Sequence, residues 1–534
     1  MASSAPAPAS TLPCSGAHDA QAELPHIVIF PFMLKSHTIP LTDLAHQLRR
    51  RQMATVTFLT TPGNAAFVRA ALAGADSVAI VELPFADNLT KPGAPPRREC
   101  VETLDLMSSL HAFVESVSLL RPQFEEALAA LRPPASAVVA DAFLYWAHTA
   151  AAARGVPTLS FFGMNMFAHF TREVFVRDNP ASVLTRGTPD PDAVFTVPEF
   201  PDVRLALADI PFPFNDPATT GPTREMDAKI GHAIASSHGL IVNTFDAMEG
   251  RYIQHWNRHI GPRAWPVGPL CLARTAEAAW HHGDVAKPAW MRWLDEKAAA
   301  GRAVLYVALG TTLAVESAQL REVADGLDRA GLDFIWAVRP VDADLGAGFE
   351  ERVRGRGEVV RGWVDQRAIL AHECVKGFLS HCGWNSVLES ISAGVPLAVW
   401  PMGAEQPVNA KLVVDELGVG IRVPPKSDAV SGMARSEQIA RVTSDLMTGE
   451  TGAEAARKMS ALAAKAREAV AEAGSSWRAA EELIELEPVT QDKGTGDAGR
   501  YIELSEEVVA LCVPSVLVDF VQEGLASWFF DMWL

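Results

Sequence analysis

Residues 377–386, GFLSHCGWNS, combine residue types that could bind an anion. An apolar strand pattern ends near Ser380, and apolar residues at helical spacing from Trp384 predict a helix directly after it. The unpaired backbone N–H groups and the positive dipole end at such a junction attract phosphate. Many helices begin this way without a ligand, so a helix start that binds nothing is the alternative. The residues at this junction are His381, Gly383, Asn385 and Ser386.

The same segment differs from two common nucleotide-binding motifs. It is not a Walker loop, because Gly383 is followed by Trp384 rather than by lysine. The Gly-x-Gly-x-x-Gly fingerprint of dinucleotide-binding proteins is missing after the first predicted strand, where residues 33–40 contain no glycine. A nicotinamide-dependent dehydrogenase is therefore disfavoured.

The cysteines and histidines give little support to a metal site. Among six cysteines, only Cys374 and Cys382 are close in sequence to each other and to His372 and His381. The paired short spacings of zinc ribbons and zinc fingers are missing. We therefore expect no metal, and we expect reduced thiols rather than a disulfide framework.

Two series of βα units must position these residues. Short β-branched and aromatic runs alternate with helical patterns in residues 26–262 and again in residues 289–470. Residues 263–288 between them are rich in Gly, Pro, His and Trp without periodicity, which is typical of an interdomain linker. The sequence thus predicts an α/β protein with two Rossmann-like, doubly wound domains facing each other across a cleft, where loops after strands bind ligands.

The ends of the chain differ from these units. Residues 1–25 are rich in Ala, Pro and Ser and are predicted to be a disordered N-terminus. Residues 471–487 predict a C-terminal helix that packs back on the N-terminal domain, and residues 488–534 form an atypical tail. The first βα loop is predicted at residues 33–40, because the apolar stripe of the first helix begins at Leu41.

The charge balance disfavours several classes of partner. The 534 residues include 46 Lys and Arg against 64 Asp and Glu, a formal net charge of -18. This is the wrong sign for binding nucleic acid or an anionic membrane surface. The chain also lacks a signal-like start and an apolar run of about 20 residues, the length that spans a membrane. We expect a cytoplasmic monomer without a transmembrane segment.

A long segment resembles a known family. Residues 363–406, WVDQRAILAHECVKGFLSHCGWNSVLESISAGVPLAVWPMGAEQ, resemble the signature box of the plant family 1 UDP-glycosyltransferases. These enzymes transfer a sugar from a UDP-sugar to small lipophilic acceptors. LYVALGTT, FIWAVRP and the N-terminal HIVIFPFMLKSHTIPLTDLAHQL extend the resemblance over about residues 26–485. It implies a GT-B-like fold, a UDP-sugar and a small acceptor as partners, and no cofactor or metal.

The resemblance implies roles for residues that would bind the nucleoside. Trp363 would stack on uracil, a role that suits an aromatic ring. Val364 would offer backbone hydrogen bonds to the base, and Gln366 would make a polar contact with the nucleoside. Glu389 would accept hydrogen bonds from the ribose hydroxyls.

The resemblance also implies which residues would bind the diphosphate and the sugar of the donor. His381, Asn385 and Ser386, beside Gly383, would contact the diphosphate and stabilise the leaving group, with Thr311 from the opposite turn as a further donor. The residues that would hold the sugar hydroxyls are Trp384, Glu405 and Gln406. A terminal Gln in this box resembles the glucose-using members of the family.

On the acceptor side, SHTIP at residues 36–40 resembles the family's G-H-x-x-P, in which the histidine is the general base. That histidine is His37, and Asp141 would orient it and stabilise the imidazolium. The resemblance predicts an inverting UDP-glucose-dependent O-glucosyltransferase that forms β-glucosides of small lipophilic, phenolic or flavonoid acceptors. The alternative is a catalytically silent UDP-sugar or lipophile-binding protein, in which the tail or a loop loosened at Gly403 blocks transfer.

Overall fold

A computed structural model of the chain describes residues 24–75, 77–85, 99–101, 110–186, 190, 193–274, 287–310, 315–339, 343–423 and 434–485. Five sequence predictions fall partly or wholly outside these residues. They are the disordered N-terminus up to residue 23, residues 275–286 of the linker, Thr311, residues 486–487 of the C-terminal helix, and the tail 488–534.

A seven-stranded parallel sheet forms the centre of the N-terminal domain. Its strands are β1 His26–Phe30, β2 Thr55–Thr60, β3 Val78–Glu82, β4 Ala137–Asp141, β5 Thr158–Phe161, β8 Gly239–Val242 and β9 Ala264–Pro266, in the order β3-β2-β1-β4-β5-β8-β9. Strands β6 Phe195–Thr196 and β7 Arg204–Leu205 form a separate antiparallel pair. Every residue of β1 and β4 is buried, as expected for unbroken apolar strands inside a parallel sheet.

Helices cover both faces of this sheet. They are α1 Lys35–Arg50, α2 Pro62–Ala71, α3 Leu110–Val117, α4 Arg121–Ala130, α5 Tyr145–Ala152, α6 Met166–Asp178, α7 Pro180–Leu184, α8 Pro222–Ser236 and α9 Asp246–His259. Leu41, Leu44, Ala45 and Leu48 of α1 are fully buried in one apolar cluster with β1 and β2. The apolar stripe read from the sequence is therefore the face that α1 packs on the sheet.

The C-terminal domain repeats this arrangement with six parallel strands. They are β10 Val304–Ala308, β11 Asp333–Val338, β12 Gly357–Arg361, β13 Val375–Ser380, β14 Leu397–Val399 and β15 Gly420–Arg422, in the order β12-β11-β10-β13-β14-β15. The helices are α10 Ala289–Ala299, α11 Ser317–Ala330, α12 Phe349–Arg352, α13 Gln366–Leu370, α14 Trp384–Ala393, α15 Gln406–Lys411, α16 Ser436–Thr448, α17 Glu450–Val470 and α18 Ser475–Ile484. The prediction of two Rossmann-like, doubly wound α/β domains is confirmed.

The two domains share a hydrophobic core, and the last helix of the C-terminal domain packs on the N-terminal domain. One apolar cluster includes Phe245 and Trp256 of the N-terminal domain together with Trp384 and Val387 of α14. Helix α18 follows α17 of the C-terminal domain but contributes Ala480 to the core of the N-terminal sheet. Strand β9 lies within residues 263–288, the range predicted as a linker. It pairs with β8 and so belongs to the sheet of the N-terminal domain.

Each sheet changes its winding direction beside its first strand. In the N-terminal sheet this switch point lies between β1 and β4, and in the C-terminal sheet between β10 and β13. A crevice opens at the carboxyl ends of the strands at such a point, and ligands of open α/β sheets bind there. The fold thus selects two places for a site: after β1 and β4, and after β10 and β13.

Candidate active site

His37 and Asp141 form a buried pair at the switch point of the N-terminal sheet. His37 Nδ1 lies 2.7 Å from Asp141 Oδ2, and Asp141 has no exposed surface. The other carboxylate oxygen, Oδ1, accepts a hydrogen bond from the backbone N–H of Phe143 over 3.0 Å. A carboxylate in this position favours the proton on Nδ1 and directs Nε2 away from the pair, as a general base requires.

The structure corrects the predicted location of His37. Residues 33–40 were expected to form a loop, but α1 begins at Lys35, so His37 lies in its first turn. The backbone N–H groups of His37 and Thr38 both donate to Leu34 O over 2.9 Å, which starts the helix before Pro40. Pro40 therefore lies inside α1, although a proline usually marks the first turn of a helix or its end.

Aromatic rings and one glycine surround the imidazole of His37. The ring of Phe143 is 5.6 Å from it and stacks on Phe32, while the ring of Phe162 is 6.1 Å away. A Cβ atom at Gly163 would lie 3.4 Å from His37 Nε2. This is an ordinary van der Waals distance, so Gly163 lies directly beside Nε2 without a side chain to cover it, and the partly exposed rings of Phe143 and Phe162 offer apolar surface near it. No local pattern in the sequence indicates this role for Gly163.

Helix α14 brings the predicted phosphate-binding turn against the start of α1. The helix begins after Gly383, and Asn385 Nδ2 donates to the backbone carbonyl of Ser36 over 2.7 Å. Ser36 immediately precedes His37 in the chain. The predicted phosphate-binding turn and the start of α1 are therefore in direct contact across the two domains.

His381 is enclosed between two glycines at the end of β13. A Cβ atom placed on Gly310 would lie 2.8 Å from the ring of His381, and one placed on Gly383 would lie 2.5 Å from it. Neither position therefore has room for a side chain. Burial lowers the pKa of His381 to about 4, against the raising effect of a hydrogen bond with the backbone of Ala308. Burial therefore favours the neutral imidazole, whose single N–H faces the backbone carbonyl of Ala308. His381 can donate to a diphosphate only by turning that N–H away from Ala308 or by gaining a second proton.

The residues predicted to bind the nucleoside lie together at the start of α13. Trp363 is 82% exposed, an unusual state for a tryptophan, so its ring is available as a stacking platform. Val364 is partly buried. Gln366 is held by the protein, since Nε2 donates to Ser386 Oγ over 2.9 Å and to Glu389 Oε2 over 2.7 Å. Gln366 thereby orients two other predicted contacts.

Glu389 belongs to an ionic network that crosses the domain interface. Arg367 Nε lies 3.2 Å from Glu389 Oε1, and the same guanidinium pairs with Asp43 of α1. Arg274 also pairs with Asp43, over 2.9 Å. Burial raises the pKa of Glu389, and the charge of Arg367 opposes this effect. No local pattern in the sequence indicates this network, because Asp43 and Arg367 are 324 residues apart in the chain.

The predicted sugar-binding residues occupy the loop before α15 and the start of α14. Glu405 is partly buried, and Gln406 Oε1 accepts from the backbone N–H groups of Met402 and Gly403 over 2.8 and 3.0 Å. This orientation leaves Gln406 Nε2 as the end that can donate to a hydroxyl. Trp384 is 2% exposed and its Nε1 donates to Asn243 O over 2.7 Å, so its indole holds the domain interface together.

Membrane-spanning helices and metal clusters are both missing from the part of the chain that the structure describes. None of the helices described is both long and apolar enough to span a membrane. No group of three or more His, Cys, Asp and Glu side chains that could hold a metal ion occurs among the described residues.

Comparison with known proteins identifies the family. Residues 262–438 match the family model described as UDP-glucoronosyl and UDP-glucosyl transferase. UDP-glycosyltransferase 90A1 of Arabidopsis thaliana is 40% identical over 467 residues, which cover 85% of this chain and 94% of that protein. UDP-glucose flavonoid 3-O-glucosyltransferase 7 of Fragaria ananassa is 34% identical over 473 residues, covering 85% and 94%.

A solved structure agrees with these sequence comparisons. Phytolacca americana UGT2, complexed with UDP-2fluoro-glucose and pterostilbene, superposes with a TM-score of 0.70 at 28% identity. The match covers 86% of this chain and 99% of that one. The two-domain fold of this chain, the family model and the extent of the sequence similarity lead to the same conclusion: the chain is a glycosyltransferase enzyme with a GT-B fold and belongs to the plant family 1 UDP-glycosyltransferases.

Proposed function

We propose that this glycosyltransferase is an inverting, UDP-glucose-dependent O-glucosyltransferase of phenolic acceptors. The observation that carries the proposal is the 2.7 Å pair of His37 and Asp141 at a switch point, next to the Ser36 carbonyl that Asn385 contacts. A base with a fixed tautomer thus lies beside the turn that resembles the family's diphosphate site. This arrangement suits proton removal from a hydroxyl that attacks a UDP-linked sugar.

In the proposed reaction, His37 Nε2 takes the proton of the acceptor hydroxyl. Asp141 stabilises the imidazolium that forms, because its carboxylate faces Nδ1. The acceptor oxygen forms a bond to the anomeric carbon from the face opposite UDP. The bond from that carbon to the diphosphate oxygen breaks, and its electron pair leaves with UDP. The α-linked sugar of the donor therefore becomes a β-glucoside.

Fixed donors on the protein would stabilise the departing UDP. Asn385 and Ser386 lie in the first turn of α14 and His381 lies just before it, where backbone N–H groups favour an anion. Such preorganised donors stabilise charge as it develops on a leaving group. We propose that transfer proceeds without a metal ion, and turnover that is unchanged after treatment with EDTA would support this.

The environment of His37 supports an aromatic acceptor. The partly exposed rings of Phe143 and Phe162 offer apolar surface near the base, and the buried ring of Phe32 stacks on Phe143. Such a surface suits a flat phenolic compound. The Fragaria ananassa relative is named as a flavonoid 3-O-glucosyltransferase, and a Gentiana triflora relative as an anthocyanin 3'-O-beta-glucosyltransferase. Glu405 and the amide of Gln406 are proposed to bind the glucose hydroxyls.

The test is hexoside formation by the purified full chain. UDP-glucose is mixed with a panel of flavonoids and simple phenols, and products are detected by mass spectrometry and by UDP release. We expect a β-hexoside that is lost, by roughly a hundredfold or more, in His37→Ala, while UDP binding is retained. UDP-galactose and UDP-glucuronic acid test the donor preference. UDP binding without a hexoside from any acceptor would contradict the proposal.

The cytoplasmic location and the monomeric state expected from the sequence stay predictions. Cell fractionation tests the location, and light scattering on the purified protein tests the oligomeric state.

A further inference from the structure

A pair of fully buried amides crosses the domain interface behind the sugar-binding loop. Asn165 precedes α6 in the N-terminal domain, and Asn409 lies on α15 in the C-terminal domain; neither side chain has exposed surface. Asn165 Nδ2 donates to Asn409 Oδ1 over 2.7 Å. The reaction proposed above uses neither residue, and a buried polar pair costs free energy unless its hydrogen bonds are satisfied.

The hydrogen bond from Ala168 determines which way both amide groups of this pair are oriented. The backbone N–H of Ala168 can only donate, and it donates over 2.6 Å to the side chain of Asn165, so the atom facing it must be Oδ1. Nδ2 of Asn165 therefore faces Asn409, whose facing atom must in turn be Oδ1. It follows that Asn409 must point its Nδ2 to the opposite side.

On that side, Asn409 Nδ2 faces two acceptors at the sugar-binding loop. It donates to the backbone carbonyl of Cys382 over 2.9 Å and to Glu405 Oε1 over 3.2 Å. Cys382 has a positive φ of 65°, an uncommon conformation for a residue other than glycine, and this conformation needs support from its surroundings. The Asn409 amide thus braces the backbone turn before α14 and one oxygen of Glu405 at the same time.

We propose that Asn409, oriented by Asn165 from the other domain, is a positioning residue that holds Glu405 for the hydroxyls of the donor sugar. The inference rests on the proposed function, in which Glu405 contacts the sugar. The pair would act on the sugar half of the donor and not on its nucleotide half, because its hydrogen bonds end on Glu405 and the adjoining turn. A purely structural interface pair would not distinguish between these two halves.

The test replaces the donor atom of Asn165 by an acceptor of the same size, so that the direction of its hydrogen bond with Asn409 must reverse. In Asn165→Asp one carboxylate oxygen still accepts from Ala168, while the other faces Asn409 Oδ1 and repels it. Asn409 must then rotate and present its oxygen to Cys382 and Glu405, which are both acceptors. The matched control is Asn165→Ser, which keeps a capping oxygen but removes the donated bond without forcing this rotation.

The readout is the ratio of two dissociation constants, for UDP-2-fluoroglucose and for UDP, measured by calorimetry on the full chain. Neither probe is turned over, so low activity does not limit the measurement. We expect Asn165→Asp to raise the ratio about tenfold, the size expected for an unsatisfied buried hydrogen bond, and Asn165→Ser to raise it less. Affinity for UDP alone should stay within about twofold of the unmodified protein.

Glu405→Gln separates failure of this inference from failure of the proposed function. If Glu405→Gln raises the ratio and Asn165→Asp does not, the positioning role is wrong while the sugar contact stands. If neither variant raises the ratio, the proposed sugar contact of Glu405 is wrong and the inference falls with it. Equal losses of affinity for both probes would overturn the positioning role as well, since they would indicate a general effect on the interface. If Asn165→Asp does not fold, the same comparison is made with Asn165→Ser, and an unchanged ratio there overturns the inference.

Discussion

Asn385 of the C-terminal domain donates a 2.7 Å hydrogen bond to the backbone carbonyl of Ser36, the residue before His37. The partner that a helix normally supplies to this carbonyl is the N–H four residues later, which here would belong to Pro40. Proline has no N–H, and Pro40 lies inside α1. The proline therefore frees a carbonyl oxygen at the start of α1, and Asn385 in the first turn of α14 donates to it.

Pro40→Ala should stabilise the protein and impair transfer. Alanine restores an N–H for Ser36 O and removes a helix-breaking residue, so the free energy of unfolding should rise by up to about 3 kcal/mol. The restored N–H competes with Asn385, and we expect kcat/KM to fall several-fold. Denaturant unfolding and steady-state kinetics on the same preparation test both effects. A variant that is more stable and fully active would show that this interdomain contact is dispensable.

Asp141→Asn should abolish most turnover without disturbing the donor site. The oxygen of the introduced amide can keep the bond from Phe143, but the amide nitrogen then faces His37 Nδ1 and requires that atom to accept. The proton moves to Nε2, which can no longer take one from the acceptor. By analogy with catalytic triads we expect kcat to fall about 10³- to 10⁴-fold. Equilibrium binding of UDP is the control, and it should be unchanged.

The fold could be predicted well from the sequence because the patterns that indicate strands and helices are local. Apolar runs and helical stripes determine the order of strands and helices, and the switch points follow from that order. The first loop was predicted too long because the apolar stripe begins only at Leu41, whereas the helix itself begins at Lys35 and includes Pro40. The pairs Asp43–Arg367 and Asn165–Asn409 join residues 324 and 244 positions apart, and no local pattern indicates them.

Two tryptophans predicted to bind the donor lie in the same sequence motif but differ in how deeply they are buried. Trp363 and Trp384 belong to the same signature box, yet Trp363 is 82% exposed while Trp384 is 2% exposed. Only the packing of α14 against the N-terminal domain decides that the second indole bonds to Asn243. Side chains at an interface thus depend on tertiary contacts that periodicity alone does not encode.

Trp363→Ala should weaken nucleotide binding and leave folding intact. Stacking of a base on an aromatic side chain contributes about 1 to 3 kcal/mol, so UDP affinity should fall about 5- to 150-fold. Because the ring is so exposed, the free energy of unfolding should change by less than about 0.5 kcal/mol. Trp363→Phe is the matched control and should retain much of the affinity. Equal UDP affinity in Trp363→Ala would place the base elsewhere.

The buried carboxyl of Glu249 accepts hydrogen bonds at the start of α6 and should make the stability of the protein depend on pH. Phe167 N and Met166 N donate to it over 2.7 and 3.2 Å, and Thr244 bonds to it as well. Burial raises the pKa of Glu249 to about 7, although these hydrogen bonds oppose the shift. Between pH 4.5, the ordinary value, and about 7, the folded protein therefore retains a proton that the unfolded chain has lost.

This difference makes Glu249 destabilising as the pH rises. Its contribution to stability is fully present below pH of about 4.5, decreases by up to about 1.4 kcal/mol per pH unit up to about pH 7, and is constant above that. Glu249→Gln does not titrate, so the free energy of unfolding of the unmodified protein should fall relative to this variant between pH 5 and pH 7. Denaturant unfolding of both proteins at about pH 5, 6, 7 and 8 measures the difference. A difference independent of pH would mean that the carboxyl is already ionised at pH 5 and that its three hydrogen bonds outweigh the effect of burial.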